Sequence, residues 1–203
     1  MEKISIDGIW ELKGDDLEIK ANVPGEIHLD LKNAGIIKEP FIGKNLFELR
    51  KYEGKKWIYK KDFEIHQQTV NKSKRVEIIF EGIDCNSKIR INDKKIGQTN
   101  NSFIAHTFDI TDIISSKNKI EIEINDGLSN IPKKVPERYI PFLEETWHKD
   151  DLRRLFVRKP QFVFGWDWTE RIITCGLWRP VYLNFYKNIA IRDIWIKKLV
   201  NKK

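Results

Sequence analysis

A chain of 203 residues with 37 Lys and Arg against 30 Asp and Glu, a net charge of +7, has room for one large domain burying about 70 % of its unfolded surface. Its basic residues are scattered, and pairs such as Lys55-Lys56, Lys94-Lys95 and Lys133-Lys134 interleave with acidic ones, which argues for a solvated surface and against a nucleic-acid partner. No run approaches the ~18 apolar residues of a membrane span, Met1 to Trp10 lacks a signal-peptide pattern, and Cys85 and Cys175 imply no disulfide framework, so the expected protein is soluble, cytoplasmic and without a membrane partner.

Along the chain, two short strands are predicted around Trp10 and Ile19, split by the turn signal Gly14-Asp15-Asp16 and ended by Pro24-Gly25. Ile27, Leu31 and Ala34 have helical spacing, and Gly35 is placed to stop a helix of about two turns. Pro40 to Gly54 reads as a loop anchored by Phe41, Phe47 and Tyr52. Period two then dominates: Trp57, Tyr59, Phe63 and Ile65; Val76, Ile78 and Phe80 against Glu77 and Glu81; Ile89 and Ile91; Ile120, Ile122 and Ile124. This is the pattern of strands with one wet face, and Asn92-Asp93 marks a tight hairpin turn. Short strands at this spacing with one or two short helices predict an all-β, antiparallel sandwich.

Residues Asp126 to Val157 break the alternation with Pro132, Pro136, Pro141 and a charged run from Glu144 to Arg154. The segment is too long for a simple connector, and Tyr139, Phe142, Trp147 and Phe156 suggest an ordered loop packed over the sheet, with a short helix around Glu144 to Leu155. Val181, Leu183 and Phe185 give the last strand. After the break at Lys187-Asn188, Ile189 to Ile196 is strand-like with no partner to satisfy its backbone. The expected division is therefore a domain over residues 1–187 and the beginning of a second one over 188–203.

Catalytic machinery is sparse. Glu144-Glu145 and Asp150-Asp151 are adjacent carboxylates, which in an extended chain point to opposite faces, so no catalytic pair is expected. His28, His66, His106 and His148 show no ligand spacing, and neither a metal site, a nucleophile elbow nor a phosphate loop is visible; no cofactor is expected. What stands out is Arg158-Lys159-Pro160-Gln161-Phe162-Val163-Phe164-Gly165-Trp166-Asp167-Trp168, followed by Gly176-Leu177-Trp178-Arg179-Pro180-Val181. Indole faces beside a lone carboxylate suit a sugar: the ring stacks on the apolar face of a pyranose and the carboxylate accepts from its hydroxyls. The same residues equally fit strand and core tryptophans with Asp167 capping a turn.

These residues resemble the signature of the amino-terminal domain of β-mannosidases in glycoside hydrolase family 2. Collinear likenesses run over nearly the whole chain: Trp10-Glu11-Leu12, Val23 to Leu31, Gly35-Ile36-Ile37, Pro40 to Asn45, Trp57-Ile58-Tyr59, Phe80 to Asp84, Ile89 to Asp93, and Asn101-Ser102-Phe103 before Phe108-Asp109. The resemblance implies a jelly roll followed by an immunoglobulin-like domain and a catalytic (β/α)₈ barrel that carries both catalytic glutamates. It implies that this domain lines the pocket for the terminal β-mannose of oligosaccharides, with Trp166 as an apolar wall, Asp167 as a hydroxyl acceptor, Trp168 as wall or support, and Arg158 orienting Asp167 by a charge-assisted bond. Trp178-Arg179-Pro180 is expected to be structural. The departure is Thr169-Glu170, where the family more often has Gly-Pro, and it leaves the aim of the loop open. An exo-β-glucosaminidase or an endo-β-mannosidase of the same family shares much of this signature, and a free-standing carbohydrate-binding module of the same fold is an alternative of a different class.

Overall fold

The computed structural model describes residues 2–132, 152–189, 191 and 194–198. The strands are β1 (Glu2–Ser5), β2 (Gly8–Gly14), β3 (Leu17–Val23), β4 (Trp57–Glu64), β5 (Arg75–Phe80), β6 (Asn86–Ile91), β7 (Lys94–Asn100), β8 (His106–Asp109), β9 (Lys117–Asn125) and β10 (Val181–Tyr186). Two short helices, α1 (Ile27–Asn33) and α2 (Gln67–Lys72), accompany them. A four-stranded sheet in the order β1-β10-β5-β8 faces a six-stranded sheet in the order β3-β2-β4-β9-β6-β7, and every pairing between these strands is antiparallel. This is the sandwich that the alternation predicts.

The register explains the core. Trp57 lies opposite Ile124 and Tyr59 opposite Ile122, while Ile89 lies opposite Ile122 from the other side, so the apolar sets of β4, β9 and β6 share one inward face. Val76, Ile78 and Phe80 of β5, with Val181, Leu183 and Phe185 of β10, close on them from the second sheet within a single apolar cluster. Each such burial contributes about 1.5–3 kcal/mol, so this contact is what holds the two layers together. The outward residues of the six-stranded sheet pair by sign: Lys20, Glu11, Lys60, Glu121 and Arg90 are cross-strand neighbours in turn, and the Lys60–Glu121 ion pair is 2.8 Å long. Positive charge is thereby interleaved with negative on that face instead of massed.

The hairpin turn and the first helix stand where the sequence pattern predicts them. Asn92 and Asp93 have φ of 50° and 64°, the left-handed pair that a two-residue hairpin turn requires. Helix α1 starts where the Glu26 carboxylate accepts from the backbone N–H of Leu29 (2.8 Å) and His28 (3.1 Å), and it buries Ile27 and Leu31 on the predicted face. The segment entering α1 is itself docked, since the N–H groups of Gly25 and Ile27 donate to the carbonyls of Leu177 and Cys175.

Other features differ from expectation. Glu77 is not on a wet face: β5 is covered on both sides, Glu77 is 2 % exposed, and Arg75 Nη2 reaches its carboxylate at 2.7 Å. Phe156 is half exposed, and Leu152–Phe156 forms a 3-10 helix where the end of an α-helix is expected. Tyr139, Phe142, Trp147 and the carboxylates Glu144, Glu145, Asp150 and Asp151 lie outside the described residues. Ile189, Ile191, Ile194, Trp195 and Ile196 are exposed, and none belongs to a strand. No helix among the described residues is long and apolar enough to cross a membrane.

Candidate functional site

The loop formed by residues 160–173 leaves and re-enters the domain at one neck. Its outgoing arm makes a 3-10 turn over Gln161–Phe164, which presses Val163 and Phe164 into a small apolar cluster with Cys85, Leu128, Val157 and Ile173. Gly165 follows at φ 99°, a left-handed value that a side chain disfavours, and its N–H donates to the Phe162 carbonyl at 3.0 Å. The chain thus leaves the small core abruptly, and the next three side chains face outward. Trp166 is 47 % exposed, Trp168 69 %, and Asp167 between them is exposed as well. The tip is closed by Trp166 N–H donating to the Thr169 carbonyl at 2.9 Å. Thr169-Glu170 therefore accommodates a tight tip without glycine or proline.

Beside the tip lies a cleft of about 380 Å³, lined by Arg50, Trp166, Asp167, Trp168, Glu170 and Arg171 among others. Arg50 comes from the 3-10 segment Asn45–Tyr52, which also carries the exposed Phe47. Arg171 makes a two-point contact with Glu53, Nε to Oε1 at 2.9 Å and Nη2 to Oε2 at 2.7 Å, and so ties the return arm to the approach of β4. The ring of Phe162, itself half exposed, stands 6.0 Å from that of Trp168 at a tilt of 35°. The cleft therefore combines flat apolar walls, two carboxylates, Asp167 and Glu170, and guanidinium groups, the donor and acceptor mixture suited to a polyhydroxylated ring.

The neck carries a polar knot. Lys159 Nζ, whose side chain is fully buried, lies 3.0 Å from Asp84 Oδ1 and donates to the carbonyls of Thr174 and, at 3.4 Å, of Asp126. Thr174 Oγ1 donates to Asp84 Oδ2 at 2.6 Å, and the backbones of Asp84 and Gly176 exchange two hydrogen bonds of 2.9 Å. Burial raises the Asp84 carboxyl above the usual carboxylate range, while Lys159 and Thr174 oppose that rise. The neighbouring thiols are inert: burial pushes Cys85 up to about 12 and Cys175 well above its ordinary value.

The structure thus brings Trp166, Asp167 and Trp168 together on one exposed turn. Arg158 is placed differently: it is exposed, its carbonyl accepts from Ser102 N–H (2.9 Å) and Oγ (3.1 Å), and no ion pair joins it to Asp167 among the described residues. The structural cation is its neighbour Lys159, which the sequence reading passed over. Val157 and Lys159 are buried and Arg158 between them is exposed, but they lie in a turn in which Lys159 N–H donates to the Val157 carbonyl at 3.1 Å, so no strand alternation marks the difference in the sequence. Arg179 stacks on the ring of the partly exposed Trp178 at 4.4 Å, and Trp178 packs so closely on Gly82 that a Cβ there would meet its Nε1 at 2.5 Å. His28 bonds to Glu26 and His106 to the Asn101 carbonyl, and among the described residues no three His, Cys, Asp or Glu side chains converge to hold a metal.

Comparison with known proteins places this geometry in context. Residues 10–179 match a family described as glycosyl hydrolase 2 galactose-binding domain-like. The chain is 30 % identical over 204 residues to β-mannosidase B of Thermothelomyces thermophilus, covering 98 % of this chain and 23 % of that protein. It is 31 % identical to the β-mannosidase of Bos taurus, covering 96 % of this chain and 24 % of that one. The crystal structure of β-D-mannosidase from Dictyoglomus thermophilum superposes with a TM-score of 0.84 at 37 % identity, over 96 % of this chain and 24 % of that one. The chain thus spans about a quarter of the length of these relatives.

Proposed function

Since the chain belongs to the galactose-binding-like domains of glycosyl hydrolase family 2, we propose that it is the amino-terminal domain of an exo-acting, retaining β-mannosidase and that it shapes the pocket for a terminal β-D-mannose. The observation that carries this reading is the exposed Trp166-Asp167-Trp168 turn above its cleft. A sugar C–H face resting on an indole leaves its hydroxyls directed at the carboxylate, and hydroxyl contacts that tighten as the ring distorts contribute to rate as well as to binding. A wall at the end of the pocket admits one sugar unit and obstructs a longer chain, which makes the enzyme cut from the non-reducing end.

In this reading the domain supplies no catalytic carboxylate. Retaining hydrolysis needs two carboxyl groups about 5–5.5 Å apart, and those belong to the barrel of the complete protein. The domain alone is inactive, and its partner is that barrel. The proposal is tested by assaying the complete protein against a panel of aryl glycosides. Release from the β-mannoside in preference to the β-glucoside, β-galactoside and β-glucuronide supports it, whereas preference for another sugar in that panel overturns it.

A further inference from the structure

We propose that Lys159 is the positioning residue of the carbohydrate-facing loop: its buried ammonium fastens both arms of the loop to Asp84 and thereby fixes where Trp166 and Asp167 are held. The sugar-related part of this inference rests on the function proposed above, whereas the mechanical part does not. Lys159 and Thr174 are the two residues that bracket loop 160–173, and Asp84 lies in the connection from β5 to β6. Asp84 Oδ1 takes the ammonium at 3.0 Å and Oδ2 takes the Thr174 hydroxyl at 2.6 Å, while Lys159 Nζ also donates to the Thr174 carbonyl. Outgoing arm, return arm and sheet connection therefore meet around one carboxylate.

The kind of force at the neck matters. The apolar cluster under the loop, with Val163, Phe164 and Ile173, resists lifting but is non-directional, so it tolerates small slides of one arm past the other. A buried ammonium does not, because each acceptor it loses leaves an uncompensated charge in a dry site. The return arm is pinned on its far side as well, through the carbonyls of Cys175 and Leu177 to the N–H groups of Ile27 and Gly25. With the arms locked in register at the neck and Arg171 held by Glu53 farther along, the tip has one direction in which to project. Lys159 is fully buried and does not line the cleft beside Trp166, so its action on a substrate passes through the loop.

The test uses the complete protein carrying Lys159→Met together with Asp84→Asn, which removes both charges with little change of volume, and Thr174→Val as a milder companion should the double variant fail to fold. Hydrogen exchange of peptides spanning 160–173 is compared with that of peptides spanning β4 and β9. We expect loop exchange to accelerate by roughly tenfold or more with the sheet peptides unchanged. We also expect kcat/KM on an aryl β-mannoside to fall by about 10²-fold, with no further fall when Asp167→Ala is added, as befits two residues acting through one position. Unaltered loop exchange, equal acceleration in loop and sheets, or losses that add to that of Asp167→Ala would each overturn the proposal. If the unaltered protein does not cleave β-mannosides, the functional reading fails by itself, and the exchange pattern alone decides the role of Lys159.

Discussion

Asp167 stands on an exposed turn between two indoles, and its carboxylate is not consumed by any ion pair among the described residues. A carboxylate left available in this way is suited to accept sugar hydroxyls once a neighbouring domain excludes water from it. Under the proposed function, Asp167→Ala in the complete protein is expected to lower turnover of a β-mannoside by about one to three orders of magnitude, the loss typical of a desolvated hydrogen bond to a charged group. Steady-state kinetics checks this, and unchanged constants would return Asp167 to a purely structural role. At this scale the sequence was readable where chemistry and exposure coincide, as in the Trp166 to Trp168 triplet. It does not separate Arg158 from Lys159, because two adjacent cations look alike until the turn between them decides which one faces inward.

A second residue-scale prediction concerns Asp30. Burial raises its carboxyl from 3.8 to about 6, partly offset by the N–H of Asn22 donating to Oδ1 at 2.9 Å, and Glu26 adds to the rise. Between those values the folded chain retains a proton that the unfolded chain has released, so this group's contribution to stability declines as pH rises from about 4 to 6. The decline amounts to at most about 3 kcal/mol. Denaturant titrations should show Asp30→Asn gaining on the unaltered chain toward pH 7 and little below pH 4. A difference independent of pH would contradict the assignment.

Among the elements, the long strands were legible because each buries one face against a partner of the same period. Tyr59, Ile122 and Ile89 sit side by side in register and all are fully buried. Ile122→Ala should therefore cost about 2–5 kcal/mol, read as a shift of the unfolding midpoint. The elements that escaped notice lack such a face. Helix α2 buries none of its residues, and β1 and β8 are four-residue edge strands with few buried side chains, so neither offers a hydrophobic period to detect. The return arm shows a further limit. Gly176 is required by a close approach, since a Cβ there would lie 2.8 Å from the Gly25 carbonyl oxygen and 3.1 Å from Tyr59 Oη. Gly176→Ala is expected to destabilise the chain by about 1–3 kcal/mol through that collision, measurable as a lowered Tm, and a neutral result would mean that the neck is looser than described.

For the molecule as a whole, the sandwich is a rigid mount for one outward loop. The core between the sheets was written in the alternation of β4, β5, β6, β9 and β10, whereas the knot of Lys159, Asp84, Thr174 and Asp126 joins residues far apart in sequence and left no local pattern. The cleft beside the loop is open to solvent. The 203-residue chain by itself should accordingly show no calorimetric binding of mannose tighter than about millimolar. The most direct test is a crystal structure of the complete protein with a mannose-configured inhibitor bound. The sugar is expected to rest against the Trp166 ring with a hydroxyl about 2.6–3.0 Å from the Asp167 carboxylate. A sugar bound in the barrel with Trp166 and Asp167 turned to open solvent would contradict the account.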